Sequence, residues 1–218
     1  MPPLPTLPPP STPPNEKALA VLRAAAAVFL VHGFSAATTD MIQREARVSK
    51  ATVYAHYPNK EALFIAVIEH ECARMAATFR AIATAPNAIS ASLFELGRAY
   101  LQIVLSPIGL ALFRVVAAEA PRFPDLGRSF FLAGPQNIAA LVTSHIERAA
   151  RAGEIDVQAV GVDAAAALFL SMLRGDSQLE SLTHPDASPS AAQVDDWVRL
   201  AVTTFLLAFG KRAAKGAR

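Results

Sequence analysis

The sequence predicts an all-α chain, and three observations carry that prediction. From residue 15 onward the chain is rich in Ala and Leu, with apolar residues recurring at three-and-four spacing. Few runs alternate apolar and polar residues over the length that a half-buried strand needs. Glycine and proline fall mostly at intervals that separate helices. Hydrophobic residues make up 53% of the 218 residues and charged residues 17%, which suffices for an ordinary core and excludes disorder of the whole chain. A net charge of +2 excludes a histone-like polycation. One cysteine, Cys72, excludes an internal disulfide and a multi-cysteine zinc site, and fits a reducing compartment.

Residues 2–14 hold eight of the sixteen prolines and cannot join a helix or a sheet ladder, so residues 1–14 are expected to be a disordered, extended leader. The leader has no Lys or Arg and no apolar stretch, unlike a signal peptide. The longest charge-free run beyond it, 129–146, includes Gly134, Pro135, Gln136, Asn137 and His145, which are costly in hydrocarbon. No membrane association is expected, and a cytoplasmic location is.

A first helix is expected from Asn15, its N-cap, to His32, with Gly33 closing it. Leu19, Leu22, Ala26, Phe29 and Leu30 form its apolar stripe. A second helix starts after Thr38 or Thr39, with Asp40 in the first turn at the positive dipole end, and stops near Ala46. A third runs from Ser49 to about Tyr57, where Pro58 ends it. Asn59 caps a long fourth helix reaching about Ala83. Further helices are expected over about 87–105, 108–119, 124–153, 158–175 and 190–212, punctuated by Pro107, Pro121, Pro124, Gly153 and the Pro185–Pro189 loop.

The second and third helices, joined by Ala46-Arg47-Val48-Ser49, have the anatomy of a helix-turn-helix. Ser49 suits the N-cap of the second of the pair, and Val53 and Tyr57, four apart, share its buried side. The outer side presents Ala51, Thr52 and Ala55, flanked by Tyr54 and His56. Small residues allow close approach to a major groove, where Ala meets a thymine methyl and Thr a base edge or phosphate. Lys50, Tyr54, His56 and Lys60 are placed to reach phosphate oxygens, which position without reading sequence. Thr38 and Arg47 complete the candidate DNA-contacting set. Residues 15–60 carry six Lys or Arg against three acids, whereas 61–218 carry fourteen against fifteen, so the basic excess lies where DNA contact is expected.

These residues carry a family resemblance. Gly33-Phe34, then Thr38-Thr39-Asp40-Met41-Ile42, then Ala46 through Tyr57, then Asn59-Lys60-Glu61-Ala62-Leu63-Phe64 resemble the DNA-binding domain of TetR-family transcriptional regulators. The resemblance covers about residues 15–65. It implies an all-α homodimer: an N-terminal three-helix helix-turn-helix domain, then a larger helical domain for effector binding and dimerisation over 66–212. Lys215 and Arg218 mark 213–218 as a basic tail. The resemblance also implies DNA contact at Ser49, Lys50, Thr52, Tyr54, His56 and Lys60, and packing roles for Val53 and Tyr57. Two departures stand out. Arg47 occupies the usual glycine position, where a positive φ would cost about 1 kcal/mol relative to glycine. Gln43 replaces a small residue where the two short helices meet. Both bear on the angle between those helices.

The run Leu112 to Pro124 resembles the C-terminal domain of an AefR-like subset of these regulators. Candidate lining residues for a cavity holding a small apolar or amphipathic effector are Leu96, Tyr100, Phe113, Val116, Phe130 and Phe169, with ordinary core packing as the competing role of each. Apolar stripes containing Val162, Ala166, Phe169 and Leu173, and Trp197, Leu200, Thr204 and Phe205, are the candidate dimer surface, an isologous four-helix arrangement, unless both stripes are buried within one subunit. The expected partners are thus a double-stranded DNA operator, an effector and a second copy of the chain. No cofactor, metal site or enzyme chemistry is expected. The histidines 32, 56, 70, 145 and 184 are scattered, and no glycine-rich phosphate loop, nucleophile elbow or His-Glu-x-x-His occurs. Two other readings stay open: a DNA-binding regulator governed by a protein partner, and an all-helical ligand-binding or enzymatic bundle with a vestigial reading head.

Overall fold

Ten α-helices and one π-helical turn make up the regular structure among the described residues of the computed structural model, which are 16–82, 88–184, 186 and 188–211. The proline-rich leader, the Asn15 cap and the 213–218 tail lie outside them. In order they are α1 Glu16–Ala36, α2 Thr39–Ala46, α3 Lys50–His56, α4 Lys60–Arg80, α5 Ile89–Val104 and α6 Pro107–Glu119. Then follow α7 Pro124–Phe131, the π-turn Leu132–Gln136, α8 Asn137–Arg151, α9 Val162–Thr183 and α10 Ala191–Phe209. The chain divides into two compact units between Val67 and Ile68, within α4.

The first unit buries Val21, Leu22, Ala25 and Phe29 of α1 against Ile42, Val53, Leu63 and Phe64. Gly33, at φ 76° and ψ 166°, interrupts α1 in a conformation that favours glycine. Phe34 thereby turns inward, its ring 5.3 Å from Phe64 and 5.9 Å from Phe29. The carbonyls left open at that helix end are taken by Lys60, whose Nζ donates to Phe34 O at 2.9 Å, Ala37 O at 3.0 Å and Ser35 O at 3.3 Å.

The second unit centres on Leu93, Leu96, Leu101, Val142, Phe169 and Phe205. A Cβ on Gly97 would stand 2.9 Å from both Leu173 Cδ2 and Val198 Cγ1, so glycine permits the close crossing of α5 with α9 and α10. Two expectations change here. The expected helix over 124–153 is α7, a π-turn and α8, because Pro135 has no N–H for the α-helical ladder. The helix expected to stop at Gly175 is instead broken there, at φ 36° and ψ −139°, and continues to Thr183. Arg114 stabilises that extension by donating to Ser181 O at 2.7 Å and Leu182 O at 3.3 Å. By length and composition α1, or α5 and α6 as a bent pair, could cross a membrane. Val21, Phe29, Leu96 and Leu112 of those helices are buried inside the fold.

Candidate functional site

The reading surface is built from helix caps. Thr38 Oγ1 accepts from Met41 N at 3.2 Å and starts α2. Arg47 takes the left-handed conformation, φ 55° and ψ 42°, so the glycine-type position is occupied by an arginine. Its N–H donates to Arg44 O at 3.2 Å and that of Val48 to Gln43 O at 3.1 Å, a Schellman closure that sets the turn into α3. Ser49 Oγ then accepts from Thr52 N at 3.1 Å and lies 2.8 Å from Thr52 Oγ1.

The faces of α3 divide accordingly. Val53 is buried, and Tyr57, half-buried, donates to Ala18 O at 3.5 Å, with burial pushing its phenol upward. Ser49, Lys50, Ala51, Tyr54 and Ala55 are exposed, while Thr52 and His56 are half-buried. Two links tie the exposed face to α2: Lys50 Nζ to Asp40 Oδ1 at 3.0 Å, and the Tyr54 hydroxyl with Thr39 Oγ1 at 3.1 Å. The Asp40 bond, then its charge, raises the pKa of Lys50 above the ordinary lysine value. The pair is exposed and screened by solvent, so a phosphate can displace Asp40 at little cost. Lys60 differs from the phosphate contact expected of it. Its three donors lie on α1-end carbonyls, and its ammonium is 4.6 Å from the Phe34 ring centroid. Sequence reasoning also left out Arg44, exposed on α2 with Nε donating to Asp40 O at 3.1 Å. Its four-residue spacing from Asp40 was the available signal.

The second unit holds a cavity of about 640 Å³, its open mouth included, between α4, α5, α6, the α7–α8 segment and α9. Tyr100, Phe113 and Phe130 line it. Leu96, Val116 and Phe169 do not; they are buried in the packed core, where equally apolar positions belong to a different helix face. Unforeseen contributors include Cys72, Pro135, Ile138, Arg174 and Gln178. Burial, with added repulsion from Glu71 and Glu69, pushes the Cys72 thiol up to about 12, so it is protonated and unreactive at neutral pH. Among the described residues no group of three His, Cys, Asp or Glu is placed to hold a metal ion.

The expected dimer stripes need correction on the same grounds. Ala166, Phe169, Leu173 and Phe205 are buried inside the subunit, Val162 and Trp197 are half-buried, and Leu200 and Thr204 are exposed. The outward apolar residues of α9 and α10 are Leu168, Leu179, Leu200 and Leu207, exposed to 47%, 61%, 68% and 81%. Both helices are apolar on two faces, and the bulkier residues fill the core.

A capped helix-turn-helix followed by a larger cavity-bearing helical unit defines a class of helical DNA-reading proteins. Residues 21–67 match the tetR family of bacterial regulatory proteins, and residues 91–211 match the AefR-like transcriptional repressor C-terminal domain. The chain belongs to the TetR family. The flavonoid-responsive regulator FrrA is 32% identical, with a TM-score of 0.75 covering 90% of this chain and 98% of that one. A TetR-family regulator of Mesorhizobium loti shares the fold at TM-score 0.79 and 24% identity, covering 89% and 97% of the two chains. An HTH-type transcriptional repressor of Streptomyces coelicolor is 45% identical over 49 residues, which is 22% of this chain and 26% of that repressor.

Proposed function

We propose that the chain is a homodimeric, sequence-specific transcriptional repressor that leaves its operator when a small molecule fills the cavity of the second unit. The observation that carries this reading is the outward face of α3: small at Ala51 and Ala55, hydrogen-bonding at Thr52 and Tyr54, and flanked by Lys50. Ser49, Lys50, Ala51, Thr52, Tyr54 and Ala55 then meet DNA, with Thr38, Arg47 and His56 at the margins. The exposed leucines of α9 and α10 would pair across a two-fold axis and fix the spacing of two reading heads. Because α9 carries both cavity residues and two of those leucines, an occupied cavity acts on a helix of the dimer face, and head spacing is the quantity it would change. The name of the flavonoid-responsive relative supports a small-molecule trigger. A cytoplasmic location follows from acting on DNA.

The test is fluorescence anisotropy on DNA from upstream of the chain's own gene, against random DNA at fixed salt. Preference for the upstream fragment by about 10³-fold or more is expected. Tyr54→Ala should lower specific affinity by about tenfold. Equal, weak binding to both DNAs by parent and variant alike would overturn the repressor reading.

A further inference from the structure

The cavity holds more polar chemistry than its own walls use. Two arginines are half-buried among the described residues: Arg98, paired with Asp195 at 3.3 Å, and Arg174, which lines the cavity. The guanidinium of Arg174 makes no ion pair and no hydrogen bond among the described residues. The side chain of Gln178, one turn further along α9 and also on the cavity wall, makes no hydrogen bond among them either. No acidic residue is among the described residues that line the space. Partial burial of a cation without a counter-charge is unfavourable for the empty protein, and an anion entering the cavity would reverse that penalty.

Tyr100 brings a third polar group to the same wall. Burial pushes its phenol upward and the charge of Arg174, on the same cavity wall, opposes this. Apart from these groups the walls are apolar, with Phe113 and Phe130 meeting edge to face at 6.2 Å and Ile138 beside them. Such a surface accepts a flat or compact hydrocarbon body and gives it no hydrogen bonds.

We infer that the cavity selects an organic acid, whose aromatic or alicyclic body lies against Phe113, Phe130 and Ile138 and whose single anionic group is held by Arg174, with Gln178 and the Tyr100 hydroxyl donating to it. This assignment rests on the effector reading of the cavity and narrows it from small molecules in general to amphipathic anions. Arginine suits the task because its planar fork grips a carboxylate or sulfonate through two parallel bonds and stays charged at all relevant pH.

Two dyes with one skeleton test it on the full-length protein: anilinonaphthalene sulfonate, an aromatic anion, and phenylnaphthylamine, which lacks the sulfonate. Both should bind the parent and displace one another. Arg174→Met should weaken the anionic dye about tenfold or more and the neutral dye by less than about twofold, with Arg174→Lys intermediate for the anion. Arg174 has no partner to leave unpaired among the described residues, so the variant should fold, as thermal unfolding will check. Equal loss of both dyes would make Arg174 a packing residue and overturn the assignment. So would unchanged binding of both, or no binding of either to the parent. The dye contrast needs no DNA. A parent without operator specificity therefore overturns the repressor reading alone, and a parent that binds operator without the dye contrast overturns this assignment alone.

Discussion

The reading head and the helical body handle their polar groups in opposite ways. In the head, Thr38, Ser49 and Asn59 each close a helix start by accepting a backbone N–H. Lys60 takes three carbonyls at the end of α1, and the exposed Lys50 and Tyr54 hold partners on α2. The head is thus preorganised for a rigid target, since little is left to order when the phosphate backbone arrives. In the body, α7 and α8 meet through a π-turn, α9 is broken at Gly175, and Arg174 and Gln178 face a cavity without partners among the described residues. Irregular helices and unsatisfied polar groups cost stability, and a protein keeps them where a ligand completes the structure. On the effector reading proposed above, one unit is finished in itself and the other is completed by what it binds.

The largest expected effect separates the two faces of α10. Phe205 is fully buried, its ring 5.4 Å from Phe169 and 4.9 Å from Phe209, so Phe205→Ala should cost about 3–5 kcal/mol in urea unfolding. Leu200, at 68% exposure, should behave differently. Leu200→Asp should keep the helical signal and convert the proposed dimer to monomer in analytical ultracentrifugation. A dimer that survives Leu200→Asp would place the interface elsewhere.

That pair of faces also marks where the sequence stops being informative. The head was legible because capping is local: Thr38, Ser49 and Asn59 announce helix starts, and Gly33 announces a helix end, within four residues of what they bond. Even the unusual Arg47 was readable, since the Schellman position fixes its φ whatever residue stands there. In the body, core, cavity wall and outer face are all apolar, and periodicity cannot rank them. Phe169 and Phe113 look alike in sequence, yet one is sealed in the core and the other lines the cavity. Arg174 and Gln178 acquire meaning only when α5 brings Tyr100 to the same wall. Lys60 poses a related difficulty: a lysine near a reading helix suggests phosphate, and only the break at Gly33 shows which carbonyls it bonds.

An intermediate effect tests that last point. Lys60→Met should remove the ammonium that bonds the carbonyls of residues 34, 35 and 37, at a cost of about 2 kcal/mol in chemical unfolding. The slope of DNA affinity against salt should hardly move, because the ammonium is engaged inside the head. Unchanged stability with a slope reduced by about one would restore Lys60 as a phosphate ligand.

The smallest effect concerns the one residue in the head that is not at ease. Arg47 is the sole non-glycine residue with positive φ among the described residues. Its backbone N–H is bonded to Arg44 O, so the strain is the contact of its own Cβ with the backbone, worth about 1 kcal/mol. Arg47→Gly removes that contact but also loosens the unfolded chain, which opposes the gain. A net stabilisation of about 0.5–1 kcal/mol is expected, since the left-handed conformation is the larger consideration. The arginine side chain is exposed beside the start of α3, where a phosphate would pass. If it makes that contact, the glycine variant should bind all DNA sequences more weakly and lower the salt slope by about one, leaving the ratio of specific to random affinity almost unchanged. A more stable head that binds less tightly would mean that the strain at Arg47 serves attachment to DNA. A more stable head with unaltered salt dependence would reduce the arginine to a tolerated substitution, and the preorganised unit would then contain one imperfection without a function.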